Sequence, residues 1–197
     1  MEFAHIPLLE NSVVRLEPLT QRHHDDLCAA VSVDALWKTW YASVPSPEQM
    51  AAEIDRRLAL HREEAMAPWA IVPQASGRAA GMTTFMGLDP ANRRLEIGST
   101  WLGVQAQRTG INAAAKLLLL SRAFEDLDCV AVELRTHWHN HASRAAIARL
   151  GAKQDGVLRN HMVWRDGTLR DTVVFSILHT EWPSVRRDLM ARVGPVE

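Results

Sequence analysis

The spacing of apolar residues in the first third of the chain predicts one strand followed by two helices. "SVVRLEPL" alternates between apolar and polar positions, as an opening strand does, with Val14 in the apolar phase. Thr20 is placed to cap a helix that runs to about Ser32. "SPEQ" has the form of a capping box with proline at the first helical position, and it predicts a helix to about Glu64.

After residue 68 the apolar period becomes that of extended chain. "WAIVPQ", "AAGMTTFMGL" and "RLEIGSTWLGV" predict an antiparallel meander, followed by a helix from about Asn112 to Glu125. "CVAVELRT" then predicts a buried strand, and "ASRAAIARLG" a helix closed by Gly151. Two long strands about a turn at Asp166-Gly167 precede a last amphipathic segment from residue 183. This order predicts an α/β fold with a mixed sheet and helices on its faces.

Composition indicates an ordinary globular protein that forms one domain over residues 1–197. Hydrophobic residues make up 47% of the chain and charged residues 23%, and 22 basic side chains balance 23 acidic ones. No whole-chain charge therefore favours nucleic acid or an anionic membrane as a partner. Cys28 and Cys129 are far apart, without CxxC spacing, which fits a reducing cytoplasm. The start lacks the pattern of a secretory signal, and the longest apolar run is interrupted by Lys116 and Arg122.

The junction "EIGSTWLGVQAQRTGINAAAKLLLL" is the strongest candidate for a ligand site. A strand runs into a polar turn, Gln107 to Asn112, and a long helix begins there. Free amide N–H groups at a helix start favour an anion, Gly110 allows close approach of the backbone, and Arg108 adds positive charge. Taken alone, the same turn also fits an ordinary strand–turn–helix corner, because it has one glycine and no Walker lysine.

Three motifs in order resemble the GNAT N-acetyltransferase superfamily. Gln107-x-x-Gly110-x-Asn112 is similar to its (Gln/Arg)-x-x-Gly-x-(Gly/Ala) pyrophosphate loop. Asn140-x-x-Ser143 followed by "RAAIARLGA", and "LEIGSTWL", resemble signatures of its ribosomal-protein-alanine N-acetyltransferase-like (RimJ/RimL-type) branch. The resemblance covers roughly residues 10–180. It implies a mainly antiparallel sheet of about seven strands with helices on both faces, and acetyl transfer from acetyl-CoA to an amine, without a metal.

The resemblance also implies which residues hold acetyl-CoA. The backbone of Leu102 and Val104 would pair with the pantetheine arm, Asn140 would hydrogen-bond that arm, and Ser143 would stabilise or protonate the thiolate. Asn140 and Ser143 are also good helix-capping residues, which is the structural alternative. The pyrophosphate would lie against Gln107, Arg108, Thr109, Gly110, Ile111 and Asn112.

Two departures from the family pattern bear on mechanism. Asn112 stands where the loop usually has glycine or alanine. Many superfamily members carry a tyrosine general acid on the helix after Asn140, but Tyr41 is the chain's only tyrosine. A tyrosine acid therefore requires the early helices to fold back over the site.

Glu96 is the first candidate for the catalytic base. Alternation along its strand predicts that Glu96, Gly98 and Thr100 share one face. A carboxylate inside an apolar sheet is costly unless it is paired or used. Glu133 on the neighbouring strand is the alternative base, and an arginine could instead neutralise either carboxylate.

The histidines of "RTHWHNHASRAA" admit three interpretations. His137, His139 and His141 have a spacing that could bind zinc, although the strand ends among them and no acidic residue lies nearby in sequence. The resemblance places this strand end beside the acetyl group, so His137 and His139 are expected to line the acceptor pocket. A solvated loop is the third interpretation. The resemblance likewise places Trp37 and Tyr41 over the acceptor site.

The leading hypothesis is an acetyl-CoA-dependent N-acetyltransferase whose acceptor is a protein N-terminus or a small-molecule amine. A catalytically weak CoA-binding relative and a zinc hydrolase using the three histidines are the alternatives. Stoichiometric zinc would favour the hydrolase, and tight CoA binding without thiol release would favour the weak relative. Dimerisation is common in the branch that the chain resembles, and the tryptophan content permits a homodimer, although the sequence itself does not show one.

Overall fold

Eight strands form one sheet in the computed structural model, which describes residues 2–193. Across the sheet the order is 1-2-3-4-5-6-8-7 in chain numbering, and only the fifth and sixth strands of this sheet pair in parallel. The predicted mixed, mainly antiparallel sheet is confirmed. It has eight strands instead of about seven, because the first is two residues long and too short to alternate. In chain order they are β1 (Leu9–Glu10), β2 (Val14–Pro18), β3 (Met66–Pro73), β4 (Gly81–Asp89), β5 (Arg94–Leu102), β6 (Ala131–His137), β7 (Lys153–Val163) and β8 (Leu169–Leu178).

Between residues 2 and 193, five α-helices accompany the sheet, close to the predicted positions. Capping boxes at Thr20 and Ser46 are present, and each opens a 3₁₀ turn before its helix. The predicted helix to Glu125 is α-helical only to Ser121 and continues as a π-helical turn, a difference in hydrogen bonding that apolar spacing does not reveal. Within residues 2–193 no helix is long and apolar enough to cross a membrane. The helices are α1 (His24–Ser32), α2 (Met50–Arg62), α3 (Ile111–Ser121), α4 (His141–Arg149) and α5 (Trp182–Val193).

Helices cover both faces of the sheet, and each face has its own buried core. On β3, Trp69 and Ile71 pack into the core beneath α3, α4 and α5, whereas Ala70 and Val72 pack beneath α1 and α2. This explains why "WAIV" is apolar throughout: both faces of the strand are buried. We call the two sides the α3 face and the α1 face.

A β-bulge in β5 changes which face its last residues occupy. Thr84 pairs with Gly98, yet Met82 pairs with Trp101, so β5 contains one extra residue, and Ser99 there has φ of 47°. Thr100 consequently lies on the α3 face, opposite Glu96 and Gly98. The prediction that these three side chains share a face was wrong, because period-2 alternation assumes a strand without a bulge.

The strands β5 and β6 pair only at their beginnings. Their register runs from Arg94 opposite Ala131 to Glu96 opposite Glu133 and ends there. Beyond that point β5 continues to Leu102 and β6 to His137, so the two strands separate. The opening between them connects the α3 face with the α1 face.

Candidate active site

A cleft of about 730 Å³ lies between the diverging ends of β5 and β6. At one end it is lined by the turn before α3, including Arg108 and Gly110, and by the start of α4. At the other end it is lined by Glu96, Arg170 and Tyr41. The cleft therefore joins a helix N-terminus on the α3 face to a cluster of charged and aromatic side chains on the α1 face.

The turn before α3 has the geometry of an anion site. Gly110 is the N-cap of α3 with φ of 89°, a conformation that L side chains rarely adopt. A Cβ added at Gly110 would meet no atom within 4 Å, so space for a ligand lies above the turn. The first backbone hydrogen bond of α3 runs from the Ala114 amide to the Gly110 carbonyl, over 3.0 Å. The earlier amides of the first turn are left for a ligand.

Side-chain hydrogen bonds brace this turn from within. The Gln107 side-chain amide donates to the Leu102 carbonyl over 2.8 Å, which ties the turn to the end of β5. The Thr109 hydroxyl donates to the Ala106 carbonyl over 2.7 Å. The turn is thus held in shape without a ligand, so a ligand would meet a preorganised site.

Asn140 and Ser143 stand at the start of α4 and both line the cleft. The Asn140 side-chain oxygen accepts a hydrogen bond of 2.9 Å from the Ser143 amide, so Asn140 is the N-cap of α4. The capping alternative is therefore realised, and it leaves the Asn140 side-chain NH₂ group available. The Ser143 hydroxyl makes no hydrogen bond to another residue between 2 and 193.

Glu96 is the carboxylate that enters the cleft. Its side chain is 17% exposed, and its nearest ion-pair partner is the Nε of Arg135 at 3.5 Å. Burial raises the pKa of the Glu96 carboxyl, while the positive charge of Arg135 acts in the opposite direction. Gly98 provides room for this group, because a Cβ there would lie 2.8 Å from Glu96 Oε1.

Glu133, the alternative base, is instead held by two arginines. Its carboxylate lies 2.7 Å from Arg94 and 2.7 Å from Arg135, and it does not line the cleft. An ion-paired carboxylate outside the cleft is less suited to accept a proton from a bound amine.

The three predicted histidines do not form one cluster. His137 is buried, and its Nε2 has no hydrogen-bond partner among the described residues. Its ring packs against Trp40, Trp164 and His139 at centroid distances of 5.1, 5.6 and 5.6 Å. His141 is exposed at the start of α4. Within residues 2–193, no three His, Cys, Asp or Glu side chains are placed to hold a metal ion.

Comparison with known proteins identifies the fold that carries this cleft. The family model described as "Acetyltransferase (GNAT) domain" matches residues 14–153. The chain belongs to the GNAT acetyltransferase family. The crystal structure of a GCN5-related N-acetyltransferase from Brucella melitensis superposes with a TM-score of 0.88 at 32% identity, covering 97% of this chain and 87% of that one.

Relatives of this GNAT chain include proteins of the predicted RimJ/RimL-like branch. The ribosomal N-acetyltransferase candidate YdaF of Bacillus subtilis (strain 168) is 34% identical over 106 residues, 54% of this chain. That match spans 57% of the length of YdaF. The structure of Mycobacterium smegmatis RimJ in complex with CoA-disulfide superposes with a TM-score of 0.77 at 23% identity, covering 94% of this chain and 93% of that one; at that identity it shows the shared fold alone.

Most predicted site residues of the GNAT chain line the cleft, and five do not. Val104 precedes the turn before α3, Thr109 belongs to that turn, Ile111 is the first residue of α3, and none of the three lines the cleft. His139 is exposed next to Trp40. Trp37 packs against the core beneath α1 and α2. Tyr41 does reach the cleft, because the segment after α1 folds back over the sheet. The predicted residues that line it are Tyr41, Glu96, Leu102, Gln107, Arg108, Gly110, Asn112, His137, Asn140 and Ser143.

Sequence reasoning missed several residues that line the cleft of the GNAT chain, among them Lys116 and Arg170. Lys116 on α3 is buried, and its ammonium donates to the hydroxyls of Thr100 at 2.9 Å and Thr83 at 3.3 Å. Burial lowers the pKa of Lys116 to about 7. The sequence does contain a feature that indicates a buried Lys116: it is a lysine within the apolar run of a predicted helix. Arg170 on β8 had no such signal, because its proximity to Glu96 depends on strand order.

Proposed function

We propose that this protein is an acetyl-CoA-dependent N-acetyltransferase that transfers the acetyl group to a primary amine by direct attack in a ternary complex. The acceptor is a protein N-terminus or a small-molecule amine. The observation that carries the proposal is the cleft, which has the free amides of a helix start at one end and the largely buried carboxylate of Glu96 at the other. Two substrates approaching from opposite faces of the sheet would meet between β5 and β6.

The residues at the α3 end suit the nucleotide half of acetyl-CoA. Free amides at the start of α3, the open space at Gly110 and the charge of Arg108 would hold a pyrophosphate. The separated ends of β5 and β6 leave main-chain groups that can pair with the amides of a pantetheine arm. The free NH₂ group of Asn140 can reach the same arm.

The residues at the α1 end suit activation of an amine. A protonated amine cannot attack a thioester, and an α-amine with a pKa of about 8 loses its proton more readily than a lysine amine at about 10.4. Glu96 would accept that proton, directly or through a water molecule. The raised pKa of Glu96 improves it as a base, because it brings proton affinity closer to that of the amine.

Several hydroxyl side chains line the cleft, and those of Ser143 and Tyr41 are the candidates to protonate the departing thiolate. Ser143 has an uncommitted hydroxyl at the start of α4, where the helix dipole also favours negative charge. Tyr41 lines the same cleft from the segment after α1. We assign the role to Ser143, because it stands on the α4 start that would also hold the pantetheine arm.

The proposal is tested by the pH dependence of thiol release in paired variants. In the wild type, kcat/KM should fall on the acid side as Glu96 becomes protonated, at a pH above that of an unshifted carboxyl. Glu96→Gln should lose this acid limb, so that only the fall due to protonation of the acceptor amine remains, and it should lose at least about tenfold in kcat/KM. Glu133→Gln is the matched control and should keep the limb.

Loss of the limb in Glu133→Gln but not in Glu96→Gln would assign the base to Glu133. If acetyl-CoA binds but no amine from a panel of peptides, amino acids, polyamines and aminoglycosides releases thiol, the protein is instead a CoA-binding relative without transferase activity.

A further inference from the structure

The α1 face of the sheet carries a row of charged side chains around Glu96. Glu96, Glu133 and Arg135 point to this face, because the residues that alternate with them, such as Leu95, Val132 and Leu134, lie in the core of the other face. Arg170 points to the same face, since Val173, Phe175 and Ile177 of β8 lie in that other core.

Arg170 differs from the other arginines of this row in having no carboxylate partner. Arg94 contacts Glu133 at 2.7 Å, and Arg135 contacts Glu133 at 2.7 Å and Glu96 at 3.5 Å. No hydrogen bond or ion pair joins the Arg170 guanidinium to any residue between 2 and 193. Its Nε is buried without a partner.

Arg170 is nevertheless held in a fixed position at the cleft. Its guanidinium lies over the Trp164 ring, 4.8 Å from the centroid, and both side chains line the cleft. Trp164 is itself fixed, since its indole N–H donates to the Trp40 carbonyl. Desolvation lowers the pKa of Arg170, and the Glu96 charge is the one that opposes this effect. A partly desolvated guanidinium without an anion is costly unless a ligand supplies the anion.

The cleft is thus lined at its acceptor end by the Glu96 carboxylate and by a guanidinium that no carboxylate pairs with among residues 2–193. We propose that the acceptor is an amine that also carries a carboxylate, with the amine at Glu96 and the carboxylate on Arg170. This inference rests on the proposed transferase function. Two kinds of acceptor have the required chemistry: a free α-amino acid, and a peptide whose first residue is aspartate or glutamate. Amines without a carboxylate lack the group that Arg170 binds.

Matched acceptor pairs test the inference through initial rates of thiol release. L-Amino acids are compared with their own amides, and peptides that begin with Asp or Glu with those that begin with Asn or Gln. The wild type should prefer the carboxylate member of at least one pair by about 10- to 100-fold in kcat/KM, the usual range for a hydrogen bond to a charged group. A preference for amino acids over their amides shows that Arg170 binds the α-carboxylate. A preference for peptides that begin with Asp or Glu shows that Arg170 binds the side-chain carboxylate of the first residue.

Arg170→Gln should abolish this preference, mainly through KM for the carboxylate acceptor. Its affinity for acetyl-CoA, measured by calorimetry, should be unchanged. Arg159→Gln is the control, because Arg159 is exposed on the adjacent β7 and does not line the cleft. That variant should keep the wild-type preference.

If kcat/KM is equal within every pair and amines without a carboxylate are acetylated as well, the inference is overturned and the transferase function stands. If no acceptor releases thiol, calorimetric binding of the same amino acids and peptides to the CoA-saturated protein decides. Binding of the carboxylate members that is lost in Arg170→Gln supports the inference, and no such binding overturns it.

Discussion

Replacing Lys116 by methionine should stabilise the protein, and by an amount that depends on pH. Lys116 is buried, and burial lowers its pKa from 10.5 to about 7. Methionine fills similar volume, and the hydroxyls of Thr83 and Thr100 remain bonded to each other at 2.8 Å. The substitution therefore removes the cost of a buried charge and leaves neither hydroxyl without a partner.

The size of the effect follows from the two pKa values. The pKa of Lys116 is about 3.5 lower in the folded chain than in the unfolded chain. A pKa difference of 1 corresponds to 1.36 kcal/mol, so the full cost of burying the charge is about 5 kcal/mol. The unfolded chain binds the proton between pH 7 and 10.5, while the folded chain has lost it. Wild-type stability should consequently rise with pH across this window relative to the variant. The cost is fully present below pH 7 and absent above 10.5.

Urea unfolding followed by tryptophan fluorescence measures the difference directly, since the chain has seven tryptophans. The stability advantage of Lys116→Met should be about 3 kcal/mol larger at pH 6 than at pH 9. Lys38→Met is the control, since Lys38 is exposed, and it should change stability by less than about 0.5 kcal/mol at either pH. An advantage that is the same at both pH values would refute the reasoning, because it would show that Lys116 is not a desolvated titrating group.

Three further predictions concern the cleft. Gly110→Glu should weaken acetyl-CoA binding, measured by calorimetry, by about 100-fold or more, because it places negative charge where the pyrophosphate would lie. Gly77→Glu is the control, at an equally open positive-φ glycine outside the cleft, and should bind acetyl-CoA normally. Unchanged affinity in Gly110→Glu would contradict the loop assignment. Ser143→Ala should lower kcat about tenfold with less than about twofold change in acetyl-CoA affinity; an equal loss of both would show that the hydroxyl acts in binding. In Gly98→Ala the added Cβ would lie 2.6 Å from the Met86 side chain and 2.8 Å from that of Glu96, so both side chains should be displaced. The variant should lower kcat/KM about tenfold with little change in the urea midpoint of unfolding. Wild-type kinetics in this variant would show that Glu96 need not be held in place.

Local patterns were sufficient to predict the elements and the loop at one end of the cleft. The capping boxes, the apolar alternation of β3 and the glycine before α3 each act within a few residues, so their consequences are visible in sequence. The same holds for Asn140, whose cap depends on an amide three residues away.

The other end of the cleft depends on contacts between distant segments and could not be predicted in the same way. The bulge at Ser99 moves Thr100 to the face of Lys116, and nothing in "EIGSTWL" marks an extra residue. Tyr41 reaches the cleft only because the segment after α1 folds back. Arg170 approaches Glu96 because β8 lies next to β6, an order that sequence spacing does not specify.

The central claim is tested most directly by following both products of one reaction. Wild-type protein is incubated with acetyl-CoA and the amine panel, free thiol is quantified, and the acceptors are weighed by mass spectrometry. We predict one acetylated amine per thiol released for at least one acceptor, with the rate abolished in Gly110→Glu and retained in Gly77→Glu. Thiol release without any acetylated amine, or tight acetyl-CoA binding with neither product, would contradict an N-acetyltransferase.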